Sequence, residues 1–369
     1  MTRLRVEHWG DEQRPESFLR RALLSPLLPV SWGWSLGAQL HRASFTSGLR
    51  RTERLPCAVI AVGSPLVGGT GKTPVSAFLA AALAERGPRV VVASRGSGRR
   101  RKGWGPEPVR IVSDGERLWG NAEDCGDEPM WIAARCPRVP VLVAADRVQA
   151  GRMACSVFAA DVLVLDDGLQ HHRVEHDVAI ATLDGVRGLG NRHMLPRGPL
   201  RESPSLLGRC DALLTIGDSL RDEQDIAALS EGVLSVQARR EISGVRGIGR
   251  RDAFSPTSLD GLEVGLLTAI ACPGSFRASI EERGGRVIAE RLFRDHHRYR
   301  ARDLRGLRDL APIWLTSEKD AVKLRADWLR EVDMRVVASE LCMEAPGAFL
   351  EWLEERAGLA APAAIRRRA

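Results

Sequence analysis

Lysine is almost missing from this chain: Lys72, Lys102, Lys319 and Lys323 are the only ones, and arginine carries nearly all the positive charge behind a net +7 over 369 residues. An arginine bias of this kind follows base composition as readily as function, so it is weak support for a nucleic-acid partner. It favours anionic partners in general, phosphates and acidic membrane surfaces among them. Each remaining lysine is correspondingly informative. Paired cysteines are missing too. The seven cysteines are odd in number, scattered from Cys57 to Cys342 and never spaced C-x-x-C, which excludes a disulfide framework or a zinc ribbon and fits a reducing cytoplasm. Hydrophobic residues at 44% and charged residues at 27% exclude bulk disorder and a polytopic membrane protein. The length suits two to three domains, each long enough to bury a core.

Only one stretch is membrane-like. Residues 22–40 carry no charge and lie between Arg20 and Arg21 on one side and His41 and Arg42 on the other. Pro26 and Pro29 oppose a straight spanning helix, because each removes a backbone donor that lipid does not replace. Trp32 and Trp34 beside arginines suit a segment lying at the interface, with indoles at headgroup level. The competing readings are a cleaved signal peptide, for which no clear A-x-A site follows, and a buried helix packed on the body.

Beyond Arg54 apolar runs alternate with helical lengths. Strands are expected at 58–62, 89–93, 139–144, 162–165, 178–182 and 211–216, with a helix over 74–86. Continuous apolar strands separated by helices mark a doubly wound, mostly parallel sheet covered on both faces. A basic, Gly-containing span at 239–252 reads as a linker, after which strands at 264–271, 286–292, 313–316 and 334–338 and helices at 275–283 and 348–356 form a second, smaller α/β domain. The expected division is therefore an N-terminal membrane-associated segment over 1–50, a nucleotide-binding domain over 51–240 and a C-terminal domain over 241–369. The Arg366, Arg367, Arg368 tail reads as a solvated end.

Val67 to Pro74, VGGTGKTP, is the strongest chemical signal: it follows a strand and opens a helix. The N–H groups of Gly68, Gly69, Thr70 and Gly71 suit phosphate oxygens, Lys72 the β- and γ-phosphates, and the Thr73 hydroxyl a magnesium ion. The loop is a variant, since Leu66 stands where a glycine usually precedes the Gly-Lys pair. Asp166 and Asp167 close the run VLVLDD, where a buried strand delivers carboxylates to the sheet end at which ligands bind; after a phosphate loop they read as magnesium ligands. Asp127 in GDEP is either a helix cap, which composition favours, or the base that takes a proton from an attacking hydroxyl. Asp295, His296 and His297 could bind metal, poise a proton or cap a loop. A zinc site at His171, His172 and His176 is a further alternative without the extra ligands zinc wants. The basic loop 95–102 lacks interleaved aromatics, so contact with an anionic substrate or nucleotide is expected there and no nucleic acid.

Taken together, RALLSPLLPVSW, VGGTGKTP, SRGSG, GDEP, VLVLDDGLQH, RGLGN, LPRGPLRE, IACPGSF, DHHRY and TSEKDAVKL resemble the tetraacyldisaccharide 4′-kinase family, the lipid A kinases of Gram-negative bacteria. The resemblance implies transfer of the γ-phosphoryl of ATP, with Mg2+, to the 4′-hydroxyl of a lipid A disaccharide 1-phosphate precursor at the cytoplasmic face of the inner membrane. There the protein would be peripheral or monotopic, seated on an anionic surface. It also implies Lys72 and Thr73 as nucleotide-loop residues, Asp166 and Asp167 as the magnesium pair, Asp127 as catalytic with His296 as its partner, and Arg201 and Glu202 as needed for turnover. Ser64 stands in place of a usual asparagine and Ser97 in place of a usual tyrosine, the latter removing an aromatic contact from that loop. The alternative class is a regulatory or chaperone NTPase with the same phosphate loop and no small-molecule acceptor. The adjacency of Lys319 and Asp320 is not the spacing of a guanine-specific switch.

Overall fold

The computed structural model describes residues 24–100, 107–248 and 259–359; expectations that fall on residues 1–23, on Lys102, on 249–252 of the expected linker and on the Arg366–Arg368 tail lie outside them. The strands are β1 (Ala58–Gly63), β2 (Val90–Ser94), β3 (Arg110–Asp114), β4 (Pro140–Val143), β5 (Val162–Asp166), β6 (Val178–Asp184), β7 (Ala212–Ile216), β8 (Leu234–Gly247), β9 (Glu263–Thr268), β10 (Arg286–Leu292), β11 (Ile313–Ser317) and β12 (Met334–Met343).

Two compact units share them. The first holds the described residues up to Arg95, Ala144–Arg239 and those from Met343 on; the second holds the described residues of Gly96–Val143 and Arg240–Cys342. Both are mixed α/β with mostly parallel strands. Packing thus departs from chain order, because residues 96–143, expected in the nucleotide-binding domain, belong to the second unit. The last helix, Pro346–Arg356, belongs to the first, where Phe349, Leu350 and Leu353 are buried. Glu354 receives Arg86 at 3.0 Å and Arg356 reaches Asp211 at 2.6 Å. Which apolar faces meet decides the grouping, and a reading along the chain does not see that.

In the first unit the strands run β2-β5-β1-β6-β7-β8, every pair parallel. β2, β5 and β7 are buried along their whole length, as continuous apolar runs require. β1 sits between a strand that follows it by one crossover direction, β5, and one that follows by the other, β6. The loop after β1 therefore opens at the switch in strand order, where such sheets bind ligands.

The span 239–247, expected as linker, is the second half of β8. Arg239 and Arg240 are exposed beside the buried Ala238, and Arg246 is half-buried beside the buried Val245, so the strand carries these charges where its length is not in the core. In the second unit β10-β9-β11-β12 are parallel, and the unexpected β3 pairs antiparallel with β4. Leu267, Leu307, Tyr299 and the fully buried Trp314 form one core cluster there, and Val264, Leu266, Ile280 and Leu315 another.

Residues 28–46 form one unbroken helix, Leu28–Thr46, with Pro29 in its first turn and Pro26 in the preceding short turn Ser25–Leu27. The prolines start this helix; they do not break it, because a first-turn residue has no intrahelical N–H partner to lose. Only Ser31 of the helix is buried, so the reading as an ordinary core helix fails. Trp32 is 69% and Leu40 61% exposed. Among the described residues no helix is long and apolar enough to cross a membrane.

Candidate functional site

The glycine loop of the first unit ends where the helix Lys72–Glu85 begins, two residues before the expected start. Gly68, Gly69 and Gly71 all take positive φ, turning their N–H groups in ways a side chain would oppose. At Gly71, with φ of 77°, an added Cβ would lie 2.0 Å from Ile216 Cδ1, so any side chain would be strained there and would displace Ile216. Lys72 Nζ is 3.3 Å from Thr70 Oγ1 and 3.8 Å from Asp167. Thr73 and Pro74 occupy the first turn of the helix. Val67 is fixed by its N–H to the Pro199 carbonyl at 2.9 Å.

The register Val62↔Asp166 places Asp166 beside the end of β1. It is 1% exposed, with Ser76 donating to one oxygen at 3.0 Å and Ser94 to the other at 3.1 Å. Asp167 follows in the left-handed region with φ of 54°, which turns its carboxylate to Arg201. That pair is bidentate: Arg201 Nη1 donates at 2.9 Å, and Nη2 donates to the other oxygen. Burial alone would push the Asp167 carboxyl up; the Lys72 ammonium and the Arg201 guanidinium outweigh it and hold the group well below the usual carboxylate range.

Arg201 also donates to the Ser64 carbonyl at 3.1 Å. Glu202 is buried and accepts from Gln170 at 3.1 Å and Arg209 at 3.2 Å. With Arg42, Ser203 and Ser205 it lines a polar cleft against the helix Leu28–Thr46. That helix is pinned by Trp34 Nε1 to the Arg201 carbonyl at 3.0 Å and by Ser31 Oγ to the Met194 carbonyl at 3.0 Å.

A threonine hydroxyl and two carboxylates are hard oxygen donors of the kind Mg2+ takes. Among the described residues no group of three or more His, Cys, Asp or Glu side chains could hold a metal. A cation held by Thr73, Asp166 and Asp167 would therefore complete its shell with phosphate oxygens and water, as Mg2+ does at phosphate sites. His171, His172 and His176 do not gather into a metal site. Burial holds the His171 imidazole down at about 3, with Arg147 and Arg95 adding to it, and His176 at about 4.

The second unit carries the other carboxylate. Asp127 opens the helix Asp127–Arg135, and the cap is Gly126, not Asp127. Gly126 has φ of 96°, and a Cβ there would come within 2.7 Å of the Ser97 carbonyl. The Asp127 carboxylate, 3% exposed, lies 2.8 and 3.0 Å from His296 Nδ1. The cap reading therefore gives way to a carboxylate–imidazole pair. Burial pushes Asp127 up, but the hydrogen bond from His296 and the charges of Lys319, His296 and Lys323 bring it well below its ordinary range. Burial pulls His296 down and the Asp127 hydrogen bond more than reverses it, leaving the imidazole raised. His297 turns elsewhere, with Nε2 3.0 Å from Asp303 and its ring stacked on Phe293. In the basic loop Arg99 pairs with Glu107 at 2.5 Å, so it is not a solvated cation.

Several residues here escape a sequence reading. Arg187, 6% exposed, donates to the Gly68 carbonyl at 2.9 Å, and Arg147 donates to the Ala144 carbonyl and, at 3.4 Å, to that of Asp166. In an arginine-rich chain neither stands out. Lys319 and Lys323 flank the Asp127 pair, and the scarcity of lysine was the available signal.

A family model described as tetraacyldisaccharide-1-P 4′-kinase matches residues 23–358. A curated relative named tetraacyldisaccharide 4′-kinase, from Anaeromyxobacter sp. (strain Fw109-5), is 35% identical across 91% of each chain. One of the same name from Syntrophus aciditrophicus is 37% identical across 79% of this chain and 82% of its own. The solved structure of LpxK from Aquifex aeolicus in complex with ATP superposes with a TM-score of 0.73 at 27% identity, covering 90% of this chain and 99% of that one.

Proposed function

The chain belongs to the tetraacyldisaccharide-1-P 4′-kinase family, and from that premise we propose how its residues divide the transfer of the γ-phosphoryl of ATP to the 4′-hydroxyl of a tetraacyldisaccharide 1-phosphate, a step of lipid A synthesis. The N–H groups of residues 67–71 cradle the phosphates and Lys72 faces the oxygens on which charge is redistributed. Thr73, Asp166 and Asp167 would hold Mg2+, which when bound neutralises phosphate charge. Ser76 and Ser94 orient Asp166, and Arg201 orients Asp167. Glu202, fixed by Gln170 and Arg209, supports the same segment.

The 3% exposed Asp127 carboxylate 2.8 Å from His296 Nδ1 carries this reading. A loop that only binds and releases nucleotide has no use for a buried carboxylate–imidazole pair, whereas a sugar hydroxyl must lose a proton. Cations hold Asp127 low, so it is a weak base. In a loose transition state the proton leaves late, and position matters more than basicity.

The acceptor's acyl chains lie in a bilayer, and the helix Leu28–Thr46 has the chemistry to hold the protein there. Val30, Trp32, Leu36 and Leu40 are all more than half exposed, and Arg42 and the arginines before residue 22 suit the anionic cytoplasmic face of the inner membrane. The protein is then peripheral or monotopic. Trp32→Ala/Leu36→Ser/Leu40→Ser should reduce flotation with anionic vesicles roughly tenfold and raise KM for lipid more than for ATP. Unchanged flotation would place the membrane contact elsewhere.

The reaction itself is tested with γ-labelled ATP, Mg2+ and a detergent-dispersed lipid A precursor. Label on the lipid, with ADP release dependent on acceptor, is expected; ADP release indifferent to acceptor would favour the regulatory NTPase.

A further inference from the structure

Two of the scarce lysines stand beside the Asp127–His296 pair with nothing yet assigned to them. Lys319 lies in the short helix Glu318–Ala321 that follows β11, and Lys323 lies one turn further on. Lys319 Nζ is 3.2 Å from Glu128 and 3.3 Å from Asp295. Those are the chain neighbours of Asp127 and His296, so one ammonium ties together the two segments that carry the pair. Lys323 Nζ is 3.6 Å from Asp127 itself and 2.8 Å from Asp320. Its side chain is 7% exposed, and it faces the Tyr299 ring at 5.2 Å.

Asp320 is fully buried and does not depend on Lys323 alone. Thr268 Oγ1 donates to it at 2.8 Å, the Ala269 N–H at 3.0 Å and Ser317 Oγ at 2.8 Å. All three donors meet Oδ2, which fixes the carboxylate and leaves Oδ1 facing the Lys323 ammonium at 2.8 Å, an anchor that holds the ammonium beside Asp127.

The charges make the need for these lysines plain. Asp127 and Asp295 both face the His296 imidazole, at 2.8 and 3.6 Å, and Glu128 and Asp320 pair with Lys319 and Lys323 beside them. Neighbouring carboxylates repel one another, and an ammonium set between them offsets that repulsion. Without compensating cations the pair would hold a proton before any hydroxyl arrived, and would have no room for the one the reaction releases. Both lysines oppose that, Lys319 through hydrogen bonds of 3.2 and 3.3 Å and Lys323 by its charge 3.6 Å from Asp127.

We propose that Lys319 and Lys323 are positioning residues of the phosphoryl-transfer reaction: Lys319 clamps the segments bearing Asp127 and His296 together, and Lys323 keeps the Asp127 carboxylate free of a resting proton. Neither touches the acceptor. This rests on the reading of Asp127 and His296 as the proton-accepting pair, and the experiment separates the two.

Full-length Lys319→Met, Lys323→Met and the corresponding arginine variants are assayed with ATP and lipid acceptor across pH, alone and in an Asp127→Asn background. Removing an ammonium this close to a carboxylate should move the acid limb of kcat upward by about one unit or more in Lys323→Met. KM for ATP should stay within about twofold. Lys319→Met should lower plateau kcat about tenfold, and Lys319→Arg should recover most of it, because a cation still bridges the two carboxylates. In the Asp127→Asn background both methionine variants should cost little more, since the group they act through is already disabled.

An unmoved acid limb, or full multiplicative losses in the Asp127→Asn background, would show that the lysines only support the fold and overturn the proposal. Should Lys323→Met fail to fold, Lys323→Met/Asp320→Asn removes the orphaned charge and carries the same pH test. Wild-type kcat in Asp127→Asn would instead defeat the proton-accepting pair, and this inference with it.

Discussion

Asp167 in the first unit and Asp127 in the second are the same chemical object in different settings. Each is a carboxylate held low by cations that outweigh its desolvation, Asp127 buried and Asp167 still partly exposed. The partners differ. Asp167 is gripped by a bidentate guanidinium and by Lys72, cationic side chains that donate and have no acceptor to offer a proton. Asp127 is bonded to an imidazole at 2.8 Å, with its nearest ammonium at 3.6 Å, so its main partner can itself take and release a proton. A permanent grip suits a group that must stay anionic toward phosphate and metal. A titratable grip suits a group that must take a proton and pass it on.

The largest effect should come from breaking the first setting at its mobile charge. Lys72→Ala is expected to lower kcat by about 10²–10³-fold, as loss of a preorganised charge facing the transferring group does. Asp167 keeps Arg201, so the melting temperature should shift by only a few degrees, about what 1 kcal/mol produces. Near-normal turnover in a folded Lys72→Ala protein would remove the loop from the reaction.

The second setting should break more selectively. Asp127→Asn keeps shape but neither accepts a proton nor attracts His296, and kcat should fall by about 10²-fold. KM for ATP should hardly move, whereas Lys72→Ala, which removes a charge facing the phosphates, should raise it. Measuring both constants for both variants sharpens the comparison, and equal KM effects would erase it.

How far these settings could be read in advance follows from their layout along the chain. Residues 67–74 and the Asp166–Asp167 step are contiguous, each reported by its own neighbours: a strand before, a helix or turn after. Asp127 and His296 stand 169 positions apart. Locally Asp127 is a plausible cap and His296 a plausible loop histidine, and only the family resemblance joined them. Arg187 and Arg147 are invisible for a compositional reason, since arginine is everywhere in this chain. β8 was missed because only Ala238, Gly244 and Val245 of it are buried, so it shows arginines where an apolar run was sought. The grouping of residues 96–143 with the second unit has no local signature at all.

The smallest expected effect concerns stability, and it separates the units by sign. His171 and His176 in the first unit are held down at about 3 and about 4, below the ordinary value of about 6.5. Their folded forms resist a proton that the unfolded chain accepts, so stability is lost as pH falls from about 6.5 toward those values. His296 in the second unit is raised. Its contribution is complete below about 6.5 and is lost as pH rises through the folded value. Asp127 and Asp167, both lowered, add stability above about 3.9 that disappears only in stronger acid. Thermal melts between pH 4.5 and 8.5 therefore isolate the histidines. His171→Gln should flatten the acid side of the profile by a few degrees, about 2–4 °C for each kcal/mol in a unit of this size. His296→Gln should flatten only the alkaline side. Both variants flattening the same side would mean that the two buried settings do not differ as their partners imply.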